Sequence, residues 1–212
     1  MAGQSFTQVA VRLVRIIGES ECAVAGGLAV NAHGYVRATK DIDIVVSLPL
    51  AEARRRLAAR GVKTTLFRGD VLEGDFSCLK GALSGVPFDV IPPLVPIEPE
   101  RAVRIELHRQ VLPIVDFETL TRLKLKAGSP KDLLDIAMLA IIRPQRRERV
   151  LQLAAYDPDM RARLLSFLDD PRLKRDARER ALEVKLQESQ GQDRGTRKPP
   201  PKARAKSGRA RG

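Results

Sequence analysis

The chain of 212 residues has no Trp, two Tyr and six Phe, so aromatics make up only 4% of it. Its core must therefore be aliphatic, and nucleobase stacking has few candidate rings beyond Tyr35, Tyr156 and the Phe side chains. Cysteine is equally scarce. Cys22 and Cys78 stand outside any CxxC or Cys/His spacing, which argues against a disulfide framework or a zinc motif and fits a reducing cytoplasm. No window approaches 18 consecutive apolar residues, and no basic N-terminal region leads into a long apolar segment. Neither a membrane span nor a signal peptide is expected.

What is present is a chain 43% hydrophobic, long enough for one ordinary core, with a net charge of +12 that is unevenly spread. From Gly191 to Gly212 eight cations, from Arg194 to Arg211, face the single Asp193, which gives +7 and leaves +5 for residues 1–190. This last stretch also holds Pro199, Pro200 and Pro201 and almost nothing apolar, so it is expected to be disordered. Such a tail can hold RNA or DNA loosely through counterion release, or serve only solubility.

The most informative stretch is Gly26-Gly27, thirteen residues, then Asp41-Ile42-Asp43-Ile44-Val45-Val46, with a further acid at Phe88-Asp89-Val90. In an extended strand alternate side chains share a face, so Arg37, Thr39, Asp41 and Asp43 are expected on one side and Ile42 and Ile44 on the other. The two Asp Cα atoms would then lie about 6.5–7 Å apart, close enough for the carboxylates to converge on Mg²⁺. The plain alternative is an exposed strand face, or an Asp pair neutralised by Arg37.

Around this stretch the pattern predicts a helix over 5–18, a short strand over 22–25, and a glycine turn into a short helix ending at His33-Gly34. A strand–turn–helix of this kind suits phosphate, because glycine removes the Cβ and the following amides are free. A helix over 50–60 and a strand over 62–67 follow. Residues 77–83 and 86–91 then read as a hairpin through Ser84-Gly85, and 104–107 and 111–115 as weaker strands. Beyond Asp116 the chain reads as helical, with Asp116 and Ser129 as caps, Pro130 at a first helical position, and Leu133, Ile136, Ala137, Leu139 and Ala140 as a buried stripe. Lys131 and Asp135 are spaced for an i,i+4 pair, and His33 reads as structural.

The glycine pair, Asp41-Ile42-Asp43 and the later Asp89 together resemble the polymerase-β-like nucleotidyltransferase superfamily. The run His33-Gly34-Tyr35-Val36-Arg37-Ala38-Thr39-Lys40-Asp41-Ile42-Asp43 and the segment from Leu123 to Asp135 look like its branch of AbiEii-type abortive-infection toxins. The resemblance spans roughly residues 20–143. It implies an α+β fold, a mixed sheet flanked by helices, here with a core over 1–115, a helical region over 116–190 and the basic tail over 191–212. It also implies that Asp41 and Asp43 hold Mg²⁺, with Asp89 as third ligand or base. Gly26, Gly27, Arg37, Thr39 and Asp132 would line the site of an NTP such as ATP, and Lys124 would offset phosphate charge. The expected activity is transfer of an NMP to a hydroxyl acceptor, RNA and in particular a tRNA end, with an antitoxin protein as partner. The alternative is an inactive relative that binds a nucleotide or nucleic acid.

Overall fold

A computed structural model describes residues 5–69, 77–95, 98, 101–107 and 110–180. The basic tail and the end of the last predicted helix lie outside the described residues. Helix α1 (Phe6–Ile17) starts at a capping box in which Ser5 and Gln8 bond each other's backbone amides, and it buries Val9, Leu13 and Ile17. Strand β1 (Cys22–Val24) runs into α2 (Gly26–Ala32), then come β2 (Ile42–Val46) and α3 (Leu50–Ala59). Strands β3 (Thr64–Phe67), β4 (Cys78–Leu83), β5 (Val86–Ile91), β6 (Val103–Leu107) and β7 (Gln110–Ile114) complete a seven-stranded sheet. Its order is β3-β4-β5-β2-β1-β7-β6. The sheet is mixed: β2 runs parallel to β5 and β1 to β7, and the other pairs are antiparallel.

The register separates a dry face from a working face. Ile42 pairs with Phe88, and Ile44 with Val90, which in turn faces Leu79 on β4; all five are buried. The interleaved pairs, Asp43 with Asp89 and Val45 with Ile91, point the other way and line a cavity. The hairpin between β4 and β5 turns on Ser84 (φ 53°) and Gly85 (φ 80°), two left-handed residues that match the twist of the strands they join.

One expectation fails locally. The acidic strand, expected from Arg37, begins only at Ile42, so Arg37, Thr39 and Asp41 lie on an irregular approach to β2. The cause is Asn31. Its side chain donates to the Arg37 carbonyl at 3.0 Å and accepts from the Arg37 amide at 2.9 Å, occupying the backbone groups a strand partner would use.

Helix α4 (Phe117–Ala127) is capped by Asp116, which accepts from the amides of Glu118 and Thr119, and α5 (Pro130–Ile142) by Ser129. A short 3₁₀ turn (Pro144–Arg146), α6 (Arg147–Leu153), α7 (Pro158–Asp169) and a helical stretch over 171–180 follow. These helices are not detached from the sheet. Leu120, Leu123, Met138 and Leu139 belong to the core against the sheet, while Leu125, Leu133, Ile136 and Ala137 pack with Val150, Leu153 and Leu164 in a second cluster. Helices α4 and α5 therefore feed both cores and fix the helical region against the cavity. Among the described residues no helix is long and apolar enough to cross a membrane. Burial pushes the Cys22 thiol up to about 12, which leaves it inert.

Candidate active site

The cavity on the working face measures about 300 Å³. The glycine turn supplies one wall (Ala25, Gly26, Gly27), the irregular approach and the two parallel strands supply Arg37, Thr39, Asp41, Asp43 and Asp89, and α4 with α5 supplies Lys124, Lys131 and Asp132. Leu94, Leu120 and Leu123 form an apolar side. Every residue expected at the site lines this one cavity.

Gly26 is required by contact as well as by backbone angle, and Gly27 by contact. Gly26 has φ +54°, and a Cβ there would lie 1.7 Å from Asp43 Oδ2; a Cβ on Gly27 would lie 2.5 Å from Thr39 Oγ1. The turn thus presses directly on the acidic strand. The Gly27 amide donates to Asp43, so one of the amides expected to face a phosphate is spent on a carboxylate.

Asp43 is the electrostatic centre. Burial, then the negative charges of Asp41 and Asp89, push its pKa up to about 6, against the pull of Lys124 and the Gly27 amide. Asp89 faces Asp43 in register on the neighbouring strand, about 4.8 Å away between backbones. Its Oδ2, however, accepts from Lys80 Nζ at 3.0 Å, and Asp41 Oδ1 accepts from Thr39 at 3.3 Å. Among the described residues no three His, Cys, Asp or Glu side chains stand ready clustered to hold an ion. The donor set nonetheless fits a hard cation: it is oxygen only, drawn from two adjacent strands and the turn before one of them, and its innermost member, Asp43, has its pKa raised first by burial and then by Asp41 and Asp89.

The cations expected to meet phosphate are engaged elsewhere. Arg37 donates to both oxygens of Asp135, each at 2.6 Å, in a bidentate pair. Lys124 Nζ bonds Asp135 Oδ2 and Asp132 Oδ1, each at 2.7 Å, and Ser129 Oγ donates to the other Asp132 oxygen at 2.5 Å. Asp135 is 1% exposed, Lys124 7% and Arg37 14%. This overturns two sequence readings. Arg37 does not neutralise the Asp41/Asp43 pair, and Asp135 is bonded to Arg37 and Lys124, not to Lys131. Lys131, exposed at the start of α5 and forming no salt bridge among the described residues, is the cation that faces the cavity unspent.

Three residues were missed from sequence: Asn31, which clamps Arg37; Lys80, which holds Asp89; and Lys131 as a cavity residue. Of these, Lys80 was recoverable, because a two-residue hairpin fixes register and three steps outward from Leu83 and Val86 give Lys80 opposite Asp89. His33 is structural as expected: buried, with Nε2 2.8 Å from the Val115 carbonyl and its pKa lowered chiefly by burial.

No family profile matches the chain, and no curated protein does. Among solved structures, a candidate nucleotidyltransferase of Thermotoga maritima is 15% identical over 58% of this chain and 84% of its own, with a TM-score of 0.47. The antibiotic-resistance factor ANT(2'')-Ia is 15% identical over 74% of this chain and 96% of its own, with a TM-score of 0.48. An antigenic nucleotidyltransferase-like protein of Paracoccidioides brasiliensis is 19% identical over 74% and 90%, with a TM-score of 0.42. At scores this low the likeness carries no argument about activity, and the chemistry is read from the cavity.

Two outcomes follow from the geometry. Asp135→Ala leaves Arg37 without its carboxylate partner and Lys124 with Asp132 alone, so it should lower the unfolding free energy measured in urea by about 3–5 kcal/mol, whereas Lys131→Ala should leave it within about 0.5 kcal/mol. For Asp43 the sign runs with the raised pKa. The native state keeps a proton that the unfolded chain releases, so this group's contribution to stability falls as the pH rises from about 4 to about 6 and stays lost above that. Asp43→Asn should therefore raise the Tm of the metal-free protein at about pH 7.5 and change it little at about pH 4.5.

Proposed function

We propose that the chain is a nucleotidyltransferase that takes an NMP from an NTP and passes it to a hydroxyl acceptor with the help of a divalent cation. The observation that carries this reading is the convergence of Asp41, Asp43 and Asp89, the glycine turn and Lys131 on one cavity with an apolar side. The apolar side, Leu94, Leu120 and Leu123, suits a base or ribose, and Lys131 suits the phosphates. Mg²⁺ held by Asp41 and Asp43, with Asp89 as a third ligand, would neutralise the triphosphate and stabilise the attacking and leaving oxygens.

The remaining work falls to the chain itself. The Gly26-Gly27 turn fixes Asp43 and Thr39 by contact, so the acidic edge of the cavity keeps its shape when substrate binds. Lys131 meets negative charge from outside the buried ion network and can follow the leaving pyrophosphate. In the transfer, the bond from the acceptor oxygen to the α-phosphorus forms as the bond to the bridging oxygen of pyrophosphate breaks. The acceptor's proton goes to a carboxylate of the cluster or to water. RNA is the acceptor class we favour, because the +7 stretch over 191–212 suits a polyanionic substrate. The toxin-like branch rests on two motifs, and their meeting in space supports it: Arg37 of the first bonds Asp135 of the second.

The test is transfer of label from each α-³²P-NTP, with Mg²⁺, into total RNA, protein and small-molecule pools. Label should enter the RNA pool and fall at least about 100-fold with Asp43→Ala. Mutant-sensitive label in another pool would move the acceptor. Absence of any mutant-sensitive label, with NTP binding retained, would favour a non-catalytic nucleotide-binding protein.

A further inference from the structure

Asp89 has two claims on it. It faces Asp43 in register, where the proposed cation would draw it in, yet its Oδ2 is bonded to Lys80 Nζ at 3.0 Å from the other side. Lys80 sits directly opposite Asp89 in the antiparallel β4–β5 pair, so the hairpin register sets this contact independently of side-chain chance. Both ends are accessible: the Lys80 side chain is 50% exposed and that of Asp89 25%. The pair is thus of the weak, exchangeable kind. The same ammonium touches a second group at the same time. Its Nζ lies 5.3 Å from the ring centroid of Phe67 on β3, a residue 46% exposed at the sheet's edge.

We propose that Lys80 is a positioning residue that holds the Asp89 carboxylate apart from Asp41 and Asp43 until a divalent cation competes it away, after which the ammonium keeps only its contact with Phe67. This rests on the reading of the three carboxylates as a cation site. It accounts for the absence of a ready cluster among the described residues although Asp43 and Asp89 are register neighbours. It also gives the free protein a way to limit repulsion: Asp89 spends its charge on Lys80, and Asp43 is left to face Asp41 more nearly alone. Cation binding then exchanges one neutralising partner of Asp89 for another, and loss of the Lys80 contact sets part of the cation affinity.

The experiment is Mn²⁺ binding to the full chain, followed by the loss of the free-ion EPR signal, in a cycle of wild type, Lys80→Met, Asp89→Asn and the double variant. Asp43→Asn serves as the control for the cation site itself. An exchangeable surface pair predicts that Lys80→Met tightens Mn²⁺ binding about two- to fivefold, and that this gain disappears when Asp89 is already Asn. An equal gain in both backgrounds would mean a general field effect of the removed charge, and no gain would mean no competition; either overturns the proposal. Wild-type binding that Asp43→Asn leaves unchanged would instead overturn the cation site, and the Lys80 proposal with it.

Discussion

The buried ion network of Arg37, Asp135, Lys124 and Asp132 is the constraint on which the rest depends. It joins the segment before β2 to both α4 and α5, across 98 residues of sequence between Arg37 and Asp135. Two cations face two carboxylates, so the network is neutral, and its central carboxylate is almost wholly out of water. A network of this kind adds little net stability over apolar packing but is costly to break, and so it specifies one docking of the helices over another. That docking closes the cavity: without it neither the apolar side from α4 nor Lys131 from α5 would face the acidic strands.

Because the network spends Arg37 and Lys124, the charge that remains in the cavity is simple. Asp41, Asp43 and Asp89 face Lys131 inside, with Lys80 at the rim on Asp89. An excess of carboxylate this close together is costly in the free protein, and the raised pKa of Asp43 reflects its burial first and then the charges of Asp41 and Asp89. A site so arranged asks for a cation, and a cation so held asks for an anionic ligand. In the proposed function a Mg-bound triphosphate would supply both, and the apolar side would take its base or ribose.

Much of this was legible in the sequence where local rules govern. The alternation in Ile42-Asp43-Ile44 separated dry from working face, Ser84-Gly85 marked the hairpin, and Asp116 and Ser129 marked the helix starts, because each depends only on neighbours in the chain. The glycine pair was legible as a turn, but its reason is the press of Asp43 and Thr39 against it, which no spacing reveals. Long-range choices were hidden. Asp135 had a plausible helical partner four residues back and took distant ones instead, because its side chain faces inward and Lys131 faces water. The extended reading of residues 37–41 failed for a similar reason: a single Asn31 side chain outcompeted the sheet for the Arg37 backbone.

The central claim is that these carboxylates and Lys131 hold a metal-bound nucleotide in this cavity. The most direct measurement is a crystal structure with Mn²⁺ and an NTP analogue carrying a non-cleavable α,β bridge, read through the anomalous scattering of the metal. The account predicts an anomalous peak touching Asp41 and Asp43, Asp89 swung away from Lys80 toward it, and the triphosphate reaching Lys131. A nucleotide bound elsewhere, or a cavity that takes the metal without any of these carboxylates, would contradict it.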